Sequence, residues 1–540
     1  MCGIVGVLGR HAGAEQVAAM AAHIAHRGPD GAGTWIDPEA GVALGHRRLA
    51  ILDLTPGGAQ PMASASGRLV IAFNGEIYNF QALREQLAGL GHAFRSTSDT
   101  EVLLTGLEQW GLEATLQRLV GMFAFACWDR EARALWLARD RAGEKPLYYA
   151  WSNGTLLFGS ELKALRAHPA FDDALDPDAL AAMLRLNHVP APRTIYRHAA
   201  KLPPGTCLVV RPGEAPGAPV PYWSAISAAR TARQQPWREG DAAAEEAVAA
   251  LLGEVVAGQM LADVPLGAFL SGGIDSSLLV ALMQAQHHEP VKTFTIGFPD
   301  AAYDESAAAR AVARHLGTAH TEWIVTPEDA LAVILRLPTL YDEPFADSSQ
   351  LPTHLVAALA RRHVTVALSG DGGDEVFGGY NRHVWGPRLW RRLAPWPLGM
   401  RRGLARAVRA MPPGVWDGVL GAAGHLVPTL RLRLPGEKVH KATRVLEAPS
   451  PDGLHQRLLA HWAAPEAMVC GAGVAPPPEA QDWSGFDLAE RFMLLDTLGY
   501  LPDDILVKVD RATMAVSLES RAPYLDHRLF ELAWRLPPHL

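Results

Sequence analysis

A segment rich in proline and glycine, residues 211–221, divides the chain into two parts whose hydrophobic patterns differ. Before it the apolar runs are short, and we interpret three of them as β-strands, at 69–73, 122–128 and 156–159. After it, from residue 241, Ala-rich helical stretches alternate with strand-like runs at 265–270, 291–298 and 364–368. Alternation of this kind predicts a parallel sheet with helices on its faces.

The length of the chain and this change of pattern together predict two domains. A chain of 540 residues exceeds what one hydrophobic core usually organises. We place an α+β domain at residues 2–213, a linker at 214–240 and an α/β domain at 241–540. Within the second domain, residues 386–478 are rich in Arg, Trp, Ala and Pro, and we interpret them as a helical insertion.

The composition argues against several functional classes. The formal net charge of −8, with 20% charged residues, provides no general attraction to nucleic acid or membranes. The sequence contains no run of 18 apolar residues that would predict a membrane span. Its four cysteines are too scattered for a disulfide framework or a zinc site, so we expect a cytoplasmic protein; they are Cys2, Cys127, Cys207 and Cys470.

Cys2 directly follows the initiator methionine. If Met1 is removed, Cys2 carries a free α-amine, with a pKa of about 8, beside its thiol. The neutral amine can accept the thiol proton, so that one residue supplies both the nucleophile and its base. The alternative interpretation is a small apolar residue that opens a β-strand.

Five motifs occur in order in the first domain: MCGIVG at 1–6, HRGPDG at 26–31, GHRRLAILD at 45–53, FNGEIYN at 73–79 and STSDTEVLL at 96–104. Together they resemble the class II glutamine amidotransferase domain, an N-terminal nucleophile (Ntn) hydrolase. The resemblance implies an αββα sandwich in which Cys2 attacks the side-chain amide of glutamine. It also implies further roles: Arg48 binds the α-carboxylate of glutamine, Glu76 and Asp99 bind its α-amine, and Asn74 and Gly75 form the oxyanion hole.

These residue types suit a glutamine zwitterion, which needs one cation and one or two carboxylates. A guanidinium binds a carboxylate through two parallel hydrogen bonds. Each donor of an oxyanion hole contributes about 2.7–4 kcal/mol to transition-state stabilisation. For Arg48 and Asp99 the alternative is a surface pair or a helix cap. For His26, Arg27 and Asp30 the open alternative is that they only shape a loop near the site.

A second motif, PLGAFLSGGIDSSLLVALM at 265–283, is an apolar run followed by a glycine pair and then by a helix from about Ser276. Main-chain N–H groups at such a turn point toward a bound anion. The loop lacks the Lys of a Walker loop and contains Asp275 instead. Because a carboxylate repels phosphate, we expect a bridging Mg²⁺ at Asp275. A Gly-rich turn capped by serine is the alternative.

SGGIDSS after an apolar strand resembles the pyrophosphate loop of the ATP pyrophosphatase family, which has a HUP-like fold and cleaves ATP between its α and β phosphates. ALSGDGGDEVFGGY at 367–380 resembles that family's loop near the reacting carboxylate. This implies that Asp371 is catalytic and that Asp374 binds Mg²⁺ together with Asp275. The resemblance also implies the ATP-binding residues Leu270, Ser271, Gly272, Gly273, Asp275, Ser276, Ser277, Ile296, Ser369 and Gly370.

LPDDILVKVDRATMAVSLESRAPYLD at 501–526 looks like the helical signature of asparagine synthetases. We expect four of its residues to form a partly buried charge network behind the site: Asp510, Arg511, Glu519 and Arg521. For these four residues a structural role and a catalytic role are equally open.

The chain departs from the asparagine synthetase pattern at three places. Asp371 stands where the family carries Glu, which shortens the reach of the carboxylate by one methylene. Asp347 stands about where some members carry Arg, so the recognition of the acceptor differs there. A Gly-Lys segment that usually follows in the family has no match in this sequence. Either the chain is a fragment, in which case we expect it to bind ATP and hydrolyse glutamine but to make amide poorly, or another cation such as Lys508 or Arg511 substitutes.

The expected activity is that of a glutamine-dependent asparagine synthetase. Ammonia released at Cys2 would pass through an internal route to a second site, where ATP and Mg²⁺ serve to adenylate the side-chain carboxylate of aspartate. The products would be asparagine, AMP, pyrophosphate and glutamate. The alternative is an amidotransferase for another carboxylate in a bacterial biosynthetic pathway. Whether the protein forms a homodimer is left open by the sequence.

A non-enzymatic alternative rests on seven arginines without an acidic residue between Arg388 and Arg409. Such a patch could bind nucleic acid or a protein partner. We favour a solvated or core-packed helical face, and we expect no nucleic-acid or membrane partner.

Overall fold

The computed structural model describes residues 2–300, 304–426, 435–473 and 481–540. The helices and strands form the two domains expected from the sequence. The first is an αββα sandwich of two antiparallel sheets, and the second is a parallel sheet covered by helices. The fold class predicted above is therefore confirmed.

The strands of the sandwich follow one another in the chain as β1 Gly3–Leu8, β2 Gly31–Asp37, β3 Val42–Arg48, β4 Met62–Ala63, β5 Leu69–Ile77, β6 Gly121–Asp129, β7 Ala134–Arg139, β8 Tyr148–Ser152, β9 Thr155–Gly159, β10 Ala199–Lys201, β11 Thr206–Val210 and β12 Val220–Pro221. The first sheet has the order β10-β8-β9-β1-β3-β2, and the second has the order β12-β11-β7-β6-β5-β4. The three strands predicted in this domain correspond to β5, β6 and β9.

Side-chain alternation along the central strands explains the face-to-face packing of the two sheets. In β5, Val70 and Ala72 point to the opposite sheet, whereas Ile71 and Phe73 pack under helices. The helices on the two outer faces are α1 Ala14–Ala22, α2 Phe80–Gly89, α3 Asp99–Trp110, α4 Leu112–Arg118, α5 Leu162–Arg166 and α6 Pro177–Leu186. The sandwich thus fixes β1 and β5, the strands that carry two of the candidate motifs, in one core.

The segment between the two domains is partly ordered into regular structure. Strand β12 lies in the predicted linker 214–240 but pairs with β11 of the first domain. Helix α7, Ala225–Arg233, follows and packs its alanines against Phe530 and Trp534 of the second domain. The predicted domain limits stay predictions.

The second domain is built on β13 Leu266–Phe269, β14 Lys292–Gly297, β15 Ala319–Ile324, β16 Val366–Leu368 and β17 Glu519–Arg521, all paired in parallel in the order β15-β14-β13-β16-β17. The helices outside the insertion are α8 Asp241–Gln259, α9 Ile274–Ala285, α10 Ser306–Leu316, α11 Pro327–Ile334, α12 Leu337–Tyr341, α13 Gln350–Arg361, α14 Gly373–Phe377, α20 Leu488–Leu495, α21 Leu506–Met514 and α22 His527–Ala533. Three of the strands, β13, β14 and β16, were predicted.

The parallel sheet is buried on both faces. Val366 and Leu368 of β16 pack with Leu279 of α9, whereas Ala367 between them packs with Ala357 of α13. Because β13 and β16 are neighbours and run in parallel, the loops that follow them meet at the same edge of the sheet. This topology brings the phosphate loop and the 369–374 loop together.

The insertion is helical, as predicted, in its described residues: α15 Asn381–Leu393, α16 Leu398–Arg409, α17 Pro413–Leu426, α18 Pro435–Leu446 and α19 Pro451–Leu459. Parts of the predicted range, 427–434 and 474–478, lie outside the described residues. In the arginine-rich stretch Arg401 is buried and donates to the carbonyl of Ala448 at 2.9 Å, and Arg409 pairs with Glu447. Part of the basic stretch is thus packed into the fold.

Two sequence predictions need correction. Helix α9 begins at Ile274, two residues before the predicted start, because the glycine pair ends the loop directly. The signature at 501–526 is not helical throughout: a π-helical stretch, Asp496–Ile505, leads into α21, and the chain then extends into β17. Among the helices of the described ranges, none is long and apolar enough to cross a membrane.

Candidate active sites

The first candidate site lies where Cys2 precedes β1. The main-chain nitrogen of Cys2 donates a hydrogen bond of 2.8 Å to Oδ1 of Asn74, which lies in β5. Nδ2 of Asn74 is buried and has no acceptor among the described residues, so it is free to donate to a bound oxyanion. Burial raises the pKa of the Cys2 thiol, which therefore rests in its neutral form and needs a base.

Gly75, the other predicted oxyanion donor, follows Asn74 in β5 and faces β6. A Cβ atom at this position would collide with the carbonyl oxygen of Met122 and would lie 2.7 Å from Cα of Phe123. Both are main-chain atoms, so no side-chain rotation can relieve the overlap. The strand pairing beside the oxyanion hole therefore accommodates glycine and excludes any larger residue.

Two predicted glutamine-binding residues, Arg48 and Asp99, are held by main-chain groups of this domain. Arg48, at the end of β3, donates to the carbonyl of Thr55 at 2.9 Å and to that of Asp53. Asp99 begins α3 and accepts a hydrogen bond of 2.9 Å from the nitrogen of Ile77. The guanidinium thus rests on the 53–55 loop, and the carboxylate is anchored beside β5.

Burial raises the pKa of both carboxyl groups that are predicted to bind the α-amine. It raises the pKa of Asp99 to about 6. Burial also raises the pKa of Glu76, and the negative charges of Glu519 and Asp99 add to this effect. The two groups therefore favour a cation between them, because a bound ammonium would relieve their mutual repulsion.

For His26, Arg27 and Asp30 a role limited to shaping a loop was left open, and the three residues differ in their contacts. The carboxylate of Asp30 accepts from the nitrogen of Ala50 at 2.9 Å, a contact within the loop region. Arg27 instead contacts the candidate nucleophile, because its Nε donates to the carbonyl of Cys2 at 3.1 Å. His26 lies 3.1 Å from Glu161, a residue that the motifs did not single out.

The four signature residues are fully buried at the domain boundary, not partly buried behind one site. They divide into two groups. Asp510 binds Arg27, and Arg511 lies 3.0 Å from Glu161, so these two meet the first domain near Cys2. Glu519 and Arg521 form a second group: they pair at 2.7 Å, and Arg521 lies 3.7 Å from Glu76.

The second candidate site is the phosphate loop between β13 and α9. Oγ of Ser271 and Oγ of Ser276 lie 3.0 Å apart and close the loop. Gly272 has a positive φ of 83°, and a Cβ atom there would lie 2.7 Å from the nitrogen of Ala309. Only glycine fits this conformation and this space. Oγ of Ser277 is buried without a partner in the described ranges, so it can serve a ligand.

The other predicted ATP-binding residues lie around this loop. Leu270 is buried at the end of β13, and Ile296 is half-buried in β14. Ser369 and Gly370 follow β16, and the Ser369 hydroxyl is another buried group without a partner in the described part of the chain. A Cβ atom on Gly370 would lie 3.1 Å from the nitrogen of Ser276, which shows how closely the two loops approach.

The two predicted metal ligands also meet here. Burial raises the pKa of Asp275, and the neighbouring charge of Asp374 raises it further. Gly373 packs on Asp275 so closely that a Cβ atom would lie 2.8 Å from its carboxylate carbon. Within the described ranges, no group of three or more His, Cys, Asp or Glu residues converges as a metal site. Mg²⁺ commonly takes one or two carboxylates and completes its shell with phosphates and water, so this pair fits it.

Asp371 and Asp347, two of the three departures from the family pattern, have defined positions. Asp371 lines a small cavity together with Glu144, Asp510, Ser520 and Ala522. Glu144 also lines a second cavity, which contains Tyr78 and Gly121 of the first domain. Asp347 pairs with Lys508 at 2.8 Å. Residues of both domains therefore line each cavity, and Glu144 is shared by the two.

Comparisons with known proteins agree with this two-part arrangement. A family model described as glutamine amidotransferase domain matches residues 1–223, and one described as asparagine synthase matches residues 247–540. Glutamine-hydrolyzing asparagine synthetase 1 of Bacillus subtilis (strain 168) is 34% identical over 548 residues, covering 100% of this chain and 82% of that protein. A putative glutamine-hydrolyzing asparagine synthetase of Mycobacterium bovis is 36% identical, covering 99% of this chain and 82% of that protein.

Other matches are more distant. Amidase chry2 of Gibberella zeae is 30% identical, covering 96% of this chain and 78% of that protein. A solved glutamine phosphoribosylpyrophosphate amidotransferase of B. subtilis, complexed with ADP and GMP, aligns at 17% identity with a TM-score of 0.32, covering 72% of this chain and 77% of that one. With both family models matched in order and the full-length relatives above 30% identity, the chain belongs to the glutamine-hydrolysing asparagine synthetase family.

Proposed function

We propose that the protein transfers the amide nitrogen of glutamine to the side-chain carboxylate of aspartate while ATP is cleaved to AMP and pyrophosphate. The observation that carries the proposal is the position of Asn74, whose Oδ1 accepts from Cys2 while its Nδ2 stays without an acceptor in the described chain. We place the reaction in the cytoplasm, because all four cysteines are free thiols.

The first half-reaction begins with glutamine held by Arg48, Glu76 and Asp99. Arg48 exchanges the carbonyls of the 53–55 loop for the α-carboxylate of glutamine. The α-ammonium group lies between the two acidic side chains. The raised pKa values of these carboxyl groups fall when the cation binds, so binding and ionisation support each other.

Cys2 then attacks the amide carbon of glutamine through Sγ. The thiol proton passes to the α-amine of Cys2, freed by removal of Met1, and from there to the leaving nitrogen, so that ammonia departs. Nδ2 of Asn74 and the N–H of Gly75 donate to the oxyanion. Water hydrolyses the resulting γ-glutamyl thioester to glutamate and restores the thiol.

In the second half-reaction the main-chain N–H groups of the 271–273 loop and the hydroxyls of Ser277 and Ser369 bind ATP. Asp275 and Asp374 would hold Mg²⁺, which supplies neutralisation of phosphate charge when it is bound. A carboxylate oxygen of the acceptor attacks the α-phosphorus, and pyrophosphate leaves. Ammonia then attacks the carbonyl carbon of the acyl-adenylate, and AMP leaves as the amide forms.

Ammonia reaches the second site through the space between the domains. The cavity beside Asp371 and the cavity beside Tyr78 share Glu144 as a lining residue. Burial raises the pKa of Glu144 to about 8, and the charge of Asp140 adds to this effect. At pH 7 Glu144 is therefore mostly uncharged, and the two cavities share a neutral side chain at this point.

A second candidate function is the amidation of a carboxylate other than aspartate. The observation that favours it is the ion pair between Asp347 and Lys508, because this pairing already neutralises the lysine of α21. An acceptor's α-carboxylate would have to compete with Asp347 for that cation. A relative from Gibberella zeae is named an amidase and not an asparagine synthetase, which is compatible with a different acceptor in this chain.

The test uses three proteins: the wild type, Cys2→Ala and Asp275→Asn. Glutamate, pyrophosphate and the mass of the amide product are measured with aspartate and with a panel of other carboxylates. We expect Cys2→Ala to lose glutamine hydrolysis and keep ammonia-dependent pyrophosphate release, and Asp275→Asn to show the reverse. Glutamine hydrolysis by Cys2→Ala at the wild-type rate would refute the glutaminase assignment. A product formed from another acceptor but not from aspartate would select the second candidate.

A further inference from the structure

Arg27 joins the first residue of the candidate glutaminase site to the second domain. Its Nε donates to the carbonyl oxygen of Cys2 at 3.1 Å. Its two terminal nitrogens donate to the two carboxylate oxygens of Asp510, at 2.8 and 2.9 Å. One planar guanidinium thus bridges the main chain of Cys2 and a carboxylate that lies 483 residues later in the sequence.

The environment of this bridge makes it rigid. Arg27 is 0% exposed and Asp510 is 4% exposed, so solvent screens neither charge. Burial alone would raise the pKa of Asp510, but the charge of Arg27 holds it below its usual value. Nη1 of Arg27 also donates to Glu161 at 2.8 Å, which fixes the guanidinium plane from a third side. Bidentate pairing of this sort restricts both distance and direction.

Asp510 is also close to the second site. It lies on α21 and lines the same small cavity as Asp371. Helix α21 therefore contacts the arginine that holds Cys2 on one side and the cavity beside the 369–374 loop on the other. A carboxylate of the synthetase domain is in this way part of the support of the glutaminase nucleophile.

We propose that Asp510 is a positioning residue for glutamine hydrolysis, acting through Arg27 on the main chain of Cys2. This inference rests on the proposed role of Cys2 as the nucleophile. The Asp510 carboxylate fixes the guanidinium, and the guanidinium fixes the Cys2 carbonyl, so that Sγ meets the amide carbon of glutamine at a constant distance. Without the carboxylate, Arg27 turns toward Glu161 and the Cys2 carbonyl loses its donor.

The matched control is another buried ion pair between the domains. Lys201 of the first domain and Glu343 of the second lie 2.8 Å apart, and both are buried. This pair makes no hydrogen bond to Cys2. Asp510→Asn and Glu343→Gln each remove one carboxylate charge from the domain boundary without changing the size of the side chain. The two variants therefore impose comparable structural penalties.

Steady-state hydrolysis of glutamine separates the two possibilities. We expect Asp510→Asn to lower kcat by about tenfold or more, because a small displacement of a reacting atom is that costly, while the KM for glutamine changes less than about twofold. Glu343→Gln should leave both constants near their wild-type values. In an Arg27→Ala background, Asp510→Asn should cause no further loss of kcat, since Asp510 acts through Arg27.

Three outcomes would overturn the inference: an unchanged kcat in Asp510→Asn, an equal loss of kcat in Glu343→Gln, or additive losses in the double variant. Where Asp510→Asn does not fold, Arg27→Lys carries the same expectation, because lysine keeps the buried cation but cannot serve Cys2 and Asp510 together. Cys2→Ala in the same assay distinguishes failure of the nucleophile assignment from failure of the positioning role of Asp510. If Cys2→Ala is inactive while Asp510→Asn matches Glu343→Gln, the nucleophile stands and the positioning role falls.

Discussion

Oδ2 of Asp263 accepts a hydrogen bond of 2.9 Å from the main-chain nitrogen of Asp53. The nitrogen of Asp263 in turn donates to the carbonyl of Ile51 at 2.9 Å. Asp263 lies three residues before β13, the strand that leads into the phosphate loop, whereas Asp53 belongs to the loop whose carbonyls accept from Arg48. The synthetase domain therefore holds the loop that prepares the glutamine site.

This contact predicts a change in glutamine binding. Asp263→Ala removes the acceptor, and a hydrogen bond of this kind contributes about 1 kcal/mol, so we expect the KM for glutamine to rise about fivefold. The kcat should change little, because neither Cys2 nor Asn74 is touched. Asp263→Asn keeps an oxygen acceptor and serves as the control. Equal KM values for Asp263→Ala and the wild type would contradict the prediction.

The pH dependence of glutamine binding should reflect the raised pKa of Asp99. Because this pKa is about 6 and not near 4, the carboxyl group becomes neutral as pH falls through about 6 and can no longer pair with an ammonium. We expect the KM for glutamine to be constant above pH 7 and to rise below 6. The measurement is a KM profile from pH 5 to 8.

Asp99→Asn tests the assignment of this midpoint. It removes the carboxyl group whose pKa is about 6, so we expect the KM to be higher at every pH and the midpoint near pH 6 to disappear. Glu101→Gln, in the same first turn of α3, is the control and should keep the midpoint near 6. An unchanged midpoint in Asp99→Asn would show that another group governs the profile.

Local patterns predicted most of the second sheet but missed two of its strands. Apolar runs identified β13, β14 and β16, because these strands are buried on both faces. β15, Ala319–Ile324, is an edge strand with half-exposed polar residues and carries no apolar run. β17 contains Glu519 and Arg521, two charged residues that are fully buried. The two charges pair with each other, and Arg521 also lies 3.7 Å from Glu76 of the other domain, a contact that no local stretch of sequence can reveal.

Contacts between residues far apart in the sequence also limited the prediction of the candidate sites. The motifs singled out Cys2, Asn74 and the phosphate loop because each motif is local: Cys2 precedes β1, Asn74 lies within β5, and the loop follows β13. The partner of Arg27 could not be found this way, because Asp510 reaches it only after both domains have folded and docked. The adjacent charges of Asp510 and Arg511 in the 501–526 signature were the available signal, and they were interpreted as part of a network behind one site.

The paired carboxylates of the phosphate site predict the response to Mg²⁺. Asp374→Asn removes one ligand, so we expect the Mg²⁺ concentration for half-maximal pyrophosphate release to rise by at least about tenfold. Glutamine hydrolysis, measured on the same sample, should keep its wild-type rate because Cys2 lies in the other domain. An unchanged Mg²⁺ requirement would remove Asp374 from the metal site.

The internal route predicts that ammonia transfer can be blocked without loss of either reaction. Ala522 lines the small cavity beside Asp371, and Ala522→Leu would fill part of it. We expect the ratio of glutamate to amide product to rise several-fold with glutamine as donor, because ammonia formed at Cys2 escapes. With added ammonium salt as donor, amide formation should stay near the wild-type rate.

Inserting a larger side chain into a packed core costs about 1–3 kcal/mol of stability by itself. The control must therefore be an equivalent Ala→Leu substitution at a buried position outside the route. Ala448, fully buried in the helical insertion, provides it: Ala448→Leu should lower stability comparably and leave the product ratio unchanged. A raised ratio in both variants would point to general loosening of the domain boundary. A normal ratio in Ala522→Leu would show that ammonia does not pass the cavity beside Asp371, and Glu144 would then lose its proposed role as a neutral lining residue.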